Sequence, residues 1–286
     1  MKTVAFFNPK SGSAPPDARE RLAAVLAEAG HAGADLVEAE HERLEAQLGE
    51  LVRTAPDLFI VWGGDGTLRA ALSAAGMKTP NLLLLPGGTM NLLPRMLHGE
   101  KTWEEILRGV IHSPRRRTLP AGEVNGQSFY CAMLAGAPAR FAEARESLRR
   151  GDIGRAATEA RTAIETLNTL HLDARYANGY AFAGERLPTT SVIGAVIGAL
   201  TRAGEGMEVA ALANPTTTGA LNVVWTSFFT DWRNAPGVEV APATSLDIAS
   251  EDGDAIPVIA DGEAVEAGAR VRVTYREKAA QCLVLA

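Results

Sequence analysis

Apolar positions along the first part of the chain fall into short runs separated by segments of helical period. Val4 to Phe7, Ala34 to Val37, Leu58 to Trp62 and Asn81 to Leu85 have the length and composition of buried strands. Between them, Leu22, Val25, Leu26 and Ala29 recur at helical spacing from about Asp17, and Gly30 supplies a stop. Leu44, Leu48, Leu51 and Val52 mark a second helix, Leu68, Ala71, Leu72 and Ala75 a third, and Trp103 to Ile111 another. Strands alternating with helices of this length predict an α/β fold, with a doubly wound parallel sheet over residues 1–118.

The pattern changes after Arg115-Arg116-Arg117. Asn125-Gly126 is a hairpin signal between Leu119–Val124 and Ser128–Leu134, and Asn178-Gly179 is another between Ala174–Ala177 and Tyr180–Ala183. Two helical stretches, about Ala139–Arg149 and Arg155–Leu170, lie between these hairpins. Further strands are expected at Val192–Ile197, Glu208–Leu212, Leu221–Trp225, Leu246–Ala249 and Pro257–Ala260. Val271, Val273 and Tyr275 alternate inward within Arg270–Tyr275, and Gln281–Leu285 forms a last strand. Residues 119–276 therefore read as a mostly antiparallel β-sandwich domain with a helical insertion at about 139–170. Residues 277–286 are placed to rejoin the first domain.

Composition narrows the function classes. At 286 residues, 47% hydrophobic and 22% charged, the chain has the substance for two packed domains. A net charge of −6 argues against nucleic acid as a partner. Cys131 and Cys282 are isolated, which suits a reducing compartment, and His31, His41, His98, His112 and His171 lack metal-ligand spacing. The apolar run before Asn8 is too short for a signal peptide, and Val192 to Leu200 is far below a membrane span, so the expected location is cytoplasmic. Arg115 to Arg117, with Arg145, Arg149, Arg150, Arg155 and Arg161, present charge either to solvent or to anionic lipid headgroups. Nothing in the sequence sets an oligomeric state.

The candidate chemistry sits just after three of the expected strands. Asn8-Pro9-Lys10-Ser11-Gly12 follows the first, Gly63-Gly64-Asp65-Gly66-Thr67 the third, and Pro86-Gly87-Gly88-Thr89-Met90-Asn91 the fourth. In a doubly wound sheet such loops converge on one rim, where ligands bind. Glycines let the backbone approach an anion closely, and the N–H groups at a helix start face it. Asp65 would repel a phosphate unless a cation sits between them, which points to a metal–nucleotide complex. Taken singly, Gly63 to Thr67 reads equally as an ordinary strand-to-helix turn, Asn8 to Gly12 reads rather as a turn ending a strand, and Gly87 to Asn91 as a cap. Neither a Gly-Lys-Ser/Thr phosphate loop nor the protein-kinase motif set is present.

Taken together, the three loops resemble the catalytic domain shared by diacylglycerol kinases, sphingosine kinases and their bacterial lipid-kinase relatives. That family carries N-P-x-S-G, then G-G-D-G-T, then P-x-G-T-x-N followed by a helix and an arginine, here Arg95. Asp261-Gly262-Glu263 is similar to its late D-G-E motif. The resemblance implies an ATP-dependent lipid kinase, acting on a hydroxyl of diacylglycerol or a related lipid alcohol in a cleft between two domains. It assigns Asn8, Pro9, Ser11, Gly12, Gly63, Gly64, Asp65, Gly66, Thr67, Gly88, Thr89 and Asn91 to the nucleotide, with Asp65 working through Mg2+. Glu263, with Asp261 beside it, is assigned as acceptor of the lipid hydroxyl proton. A lipid substrate also implies transient contact with a membrane surface, at its inner face.

Departures from the family pattern keep two alternatives open. Leu92 stands where the family usually has an acid, and Thr217-Thr218-Gly219 where bacterial relatives hold a structural magnesium with carboxylates. The threonine usual after the second strand is replaced near Glu38. The chain could therefore be a weak or inactive member that binds nucleotide or lipid. G-G-D-G-T also occurs in NAD kinases and phosphofructokinase relatives, so a soluble substrate is the other alternative.

Overall fold

The computed structural model describes residues 1–79, 81–149, 151–169, 172–177, 185–186, 192–199, 206–213 and 240–286. The chain divides into two compact units, Met1–Ala121 with Lys278–Ala286, and Gly122–Glu277.

In the first unit the apolar runs become β1 (Thr3–Phe7), β2 (Asp35–Glu38), β3 (Leu58–Gly63) and β4 (Leu82–Pro86). They pair in parallel in the order β2-β1-β3-β4. Helices α1 (Ala18–Glu28), α2 (Leu44–Arg53), α3 (Asp65–Ala75), α4 (Leu92–His98) and α5 (Trp103–His112) connect and follow them. One face of the sheet, with Ala5, Phe7, Ile60, Trp62, Leu83 and Leu85, packs on Leu22 and Leu26 of α1 and on Ile106 and Leu107 of α5. Alternation along the strands sends Phe6, Phe59 and Val61 to the opposite face, where α3 packs on β3 and β4 and beside α2. Each fully buried large apolar side chain, such as Phe6 and Phe7 of β1, contributes roughly 1.5–3 kcal/mol. Thr102 caps α5 in a reciprocal box with Glu105, so this helix starts where its sequence says it should.

The second unit is antiparallel. From β5 (Pro114–Val124) the chain turns through Asn125-Gly126 into β6 (Gln127–Phe129), then β7 (Ala132–Gly136). The packed helices α6 (Ala137–Arg149) and α7 (Ile153–Thr169) follow. Strands β8 (Leu172–Ala177), β9 (Glu185–Arg186), β10 (Val192–Gly198), β11 (Met207–Ala213), β12 (Val240–Ala243), β13 (Ser245–Ser250), β14 (Val258–Ala260), β15 (Glu263–Val265) and β16 (Arg270–Leu285) follow, the last belonging to the first unit from Lys278 on. Phe129, Met133, Ile197, Val209, Leu246, Ile248, Val258, Val271 and Val273 share one buried cluster. Among the described residues no helix is long and apolar enough to cross a membrane.

Several elements differ from the sequence expectation, each for a physical reason. Strand β5 begins at Pro114 rather than Leu119, because its first five residues are all exposed and carry no apolar alternation. The expected strand Ser128–Leu134 is broken at Tyr130-Cys131, whose backbone N–H groups bond to a side chain. Arg270–Tyr275 and Gln281–Leu285 are one continuous strand. Its start pairs with β13 and Leu283 pairs in parallel with Leu83, while Arg276 to Lys278 between them are exposed. Strand β12 lies outside the strands the sequence predicts; it contains Pro242 and among the described residues pairs with β11 alone, a placement in which proline is tolerated. The Asn178-Gly179 turn, Tyr180–Ala183, Thr217-Thr218-Gly219 and Leu221–Trp225 lie outside the described residues.

Candidate active site

Three polar loops leave the carboxyl ends of β1, β3 and β4, and side-chain hydrogen bonds tie them together. Asn8 Nδ2 donates to Thr67 Oγ1 at 3.2 Å, linking the first loop to the start of α3. Ser11 Oγ accepts the Gly64 N–H at 3.2 Å. The Asn8 carboxamide also accepts the Lys10 N–H at 3.0 Å, which holds the first loop in a tight turn. In the third loop Asn91 has a left-handed backbone (φ 50) and closes on Gly88, accepting its N–H and donating to its carbonyl, both at 2.8 Å.

Glycines permit backbone contacts that a side chain would block. A Cβ on Gly88 would lie 2.7 Å from the Gly64 Cα, and one on Gly12 would lie 2.4 Å from Thr89 Oγ1. The second and third loops thus touch through bare backbone at the N-terminus of α3. Gly64 is the extended N-cap, and Leu68 N–H is bonded to its carbonyl at 3.0 Å. Helix geometry leaves the N–H groups of Asp65, Gly66 and Thr67 without intrahelical acceptors, so this corner presents donors and partial positive charge.

Asp65 does not simply point at that corner. Its carboxylate accepts the Leu93 N–H at 3.1 Å, capping the first turn of α4. Burial pushes the Asp65 carboxyl above its ordinary value, while backbone N–H groups of Leu93, Leu92 and Asn91 and the charge of Arg95 pull it back. Asp65 is the sole acid in the three loops. Among the described residues no three His, Cys, Asp or Glu side chains gather as a metal-ligand group. A single carboxylate fits magnesium carried in by phosphates, since that ion keeps waters and phosphate oxygens and takes only one or two protein carboxylates.

Sequence reasoning missed two residues that build this rim. Ser13, just beyond the first motif, donates through Oγ to the Gly88 carbonyl and through its backbone N–H to the Gly87 carbonyl, both at 3.0 Å. Trp62 donates from Nε1 to the Pro86 carbonyl at 2.9 Å and stacks on Trp103 with centroids 4.3 Å apart. A polar serine beside a motif offered a signal; the Trp62 bond, made by an apparent core residue, offered none.

In the second unit Asp261-Gly262 forms the two-residue turn between β14 and β15, with Ala260 paired to Glu263. Both turn residues have positive φ (48 and 87), as the tight hairpin turns that match strand twist require. The Asp261 carboxylate accepts three backbone N–H groups, from Tyr130 at 2.7 Å and from Cys131 and Ala132 at 2.9 Å each. It is thereby fixed between the turn and the break before β7. Glu263, the first residue of β15, is exposed. A pocket of about 520 Å3 borders this turn at Ile259, Gly262 and Ala264, with α6 and α7 supplying Arg140, Arg145 and Arg155 together with Glu143, Glu146 and Glu159.

Comparison with known proteins shows what this arrangement is similar to. Residues 2–124 match the diacylglycerol kinase catalytic domain. A crystal structure of a diacylglycerol kinase from Bacillus anthracis strain Sterne superposes with a TM-score of 0.68 at 16% identity, covering 99% of this chain and 96% of that one. A second structure from that strain, named as a candidate diacylglycerol kinase, gives 0.70 at 18% identity, covering 99% and 96%. At such identity these two show the fold, with its N-terminal parallel and C-terminal antiparallel sheets.

Proposed function

We propose that the protein is an ATP-dependent lipid kinase that phosphorylates a hydroxyl of diacylglycerol or a related lipid alcohol. The observation that carries this reading is the bare-backbone contact of Gly64 with Gly88 at the N-terminus of α3. It leaves a corner of N–H donors open to phosphate oxygens. In this reading Asn8, Ser11, Gly12, Gly63, Gly64, Gly66, Thr67, Gly88, Thr89 and Asn91 hold the nucleotide, and Pro9 stiffens the first loop. Mg2+ would neutralise the phosphates, with Asp65 as its protein carboxylate.

Transfer is a displacement at the terminal phosphorus. The lipid hydroxyl oxygen forms the new P–O bond, the bond to the β-phosphate oxygen breaks, and ADP leaves with the electron pair. Glu263 takes the hydroxyl proton. Asp261 supports Glu263 by holding the turn, through its three backbone bonds, rather than by taking a proton itself. The pocket beside Gly262 suits the acceptor lipid, with Ile259 and Ala264 against its apolar part and the Arg140–Glu143 and Arg155–Glu159 ion pairs near its polar end. Membrane contact would be transient and peripheral, serving delivery of that lipid.

Purified protein incubated with labelled ATP, magnesium and a panel of lipid alcohols tests the proposal. Label should move to a lipid in the wild type and not in Glu263→Gln, with nucleotide binding kept in both. Binding without transfer to any lipid would instead identify a family member without turnover, and transfer to NAD or a sugar phosphate would identify a soluble-substrate kinase.

A further inference from the structure

A second pocket lies at the opposite end of the parallel sheet from the three loops. It has a volume of about 670 Å3 and is bordered by Leu58 and Asn81, at the starts of β3 and β4, where the loops sit at the ends. Leu58 and Gly63 are five strand steps apart, which is about 16 Å, so the two places are distinct. The size lies within the range of roughly 300–1,000 Å3 typical of small-molecule sites.

Its lining divides into an apolar floor and a cationic rim. Val110 and Leu283 are buried beneath it, with Ile111 half-buried beside them. The rim carries Arg115 and Arg116 at the exposed start of β5, and His31, whose Nδ1 lies 2.9 Å from Thr3 Oγ1, also lines the pocket. Arg115 has no carboxylate partner among the described residues. The Arg116 guanidinium is oriented by Asn81, whose Oδ1 accepts its Nε–H at 3.1 Å and Nη2–H at 3.0 Å, and this neutral amide leaves the charge uncompensated. The one acid of the lining, Asp57, has a carboxylate oxygen engaged by the Lys2 N–H at 2.6 Å.

We propose that this pocket binds an anionic amphiphile, an alkyl or acyl chain ending in a phosphate or carboxylate. The chain covers Val110, Ile111 and Leu283, and the head lies against Arg115 and Arg116. Planar guanidinium forks match both head groups bidentately, and two of them over an apolar floor favour a ligand that carries both characters. The role is separate from phosphoryl transfer and does not depend on it.

Calorimetric titration with decyl phosphate, kept below its micelle-forming concentration, tests the site. The comparison arms are inorganic phosphate and decyl maltoside, and the proteins are wild type, Arg115→Ala and Glu263→Gln. Decyl phosphate should bind the wild type and Glu263→Gln alike. Arg115→Ala should bind about tenfold more weakly or worse, as the loss of one charge-assisted hydrogen bond predicts. Arg115 is exposed and bonds to no other side chain among the described residues, so its removal leaves the fold intact. Absence of decyl phosphate binding, or equal affinity in Arg115→Ala, overturns the proposal. So does equal affinity for inorganic phosphate, which would make it a bare anion site, or for decyl maltoside, which would make it an apolar groove. Loss of binding in Glu263→Gln alone would place the ligand in the proposed lipid site instead.

Discussion

The carboxylate of Asp65, inside the second glycine-rich loop, accepts the backbone N–H of Leu93 at 3.1 Å and so ties the start of α3 to the start of α4. Burial of the acid raises its pKa from the ordinary 3.8, and the Leu93 N–H offsets only part of that rise. A carboxyl with a raised folded-state pKa binds more protons folded than unfolded above its ordinary value. Stability contributed by Asp65 is therefore lost as pH rises above 3.8. Asp65→Asn keeps an oxygen for Leu93 and has no charge to desolvate. Relative to this variant, the ligand-free wild type should lose stability as pH rises through the acid range, measured by urea midpoints. An unchanging difference between the two proteins would count against the buried charge. In nucleotide binding the order should reverse, with Asp65→Asn weaker in the presence of magnesium.

The contact between Gly64 and Gly88 separates packing from ligand approach. A methyl on Gly88 would stand 2.7 Å from the Gly64 Cα, whereas one on Gly64 meets nothing closer than the Gly88 Cα at 3.5 Å. Gly88→Ala should destabilise the protein by about 1–3 kcal/mol through overpacking against backbone. Gly64→Ala should stay within about 1 kcal/mol of wild type, as an N-cap change does, yet bind ATP about tenfold more weakly or worse. Thermal unfolding and nucleotide titration of both variants decide this. Normal ATP affinity in Gly64→Ala would remove phosphate from that corner.

Asp261 and Glu263 are neighbours in sequence with different expected effects. Removing the Asp261 carboxylate leaves three backbone donors without their acceptor, so Asp261→Ala should cost about 2–4 kcal/mol of stability. Glu263→Gln, at an exposed strand start, should stay within about 0.5 kcal/mol while abolishing transfer to lipid. Chemical denaturation alongside a transfer assay reads both. Full activity in Glu263→Gln would reassign the proton acceptor.

These residues also indicate how far sequence alone reaches. The apolar runs Val4–Phe7 and Leu58–Trp62 announce doubly covered strands because burial on both faces leaves no polar position. The three motifs are legible through their order and spacing after three strands, since any one of them alone reads as an ordinary turn. Relationships made across sequence are not legible. Nothing local says that Asp65 caps α4, that Asp261 captures the N–H groups of Tyr130 to Ala132 and so breaks a strand, or that Ser13 braces Gly88. The charged stretch Arg276 to Lys278 reads as a loop, although backbone pairing carries β16 straight through it.

His98, the last residue of α4, supplies a pH response opposite in sign to that of Asp65. It is 7% exposed, and neither ring nitrogen has a hydrogen-bond partner among the described residues. Burial, reinforced by the charge of Arg117, lowers its pKa from 6.5 to about 4. Between those values the unfolded chain binds a proton that the folded one excludes, so stability rises with pH across the window and is lost as pH falls through it. The shift corresponds to up to about 3 kcal/mol near pH 4. His98→Leu fills the same apolar site without a titrating group. Its urea midpoint should fall less than that of wild type between pH about 7 and about 4, and parallel curves would show that His98 already finds a partner for its proton.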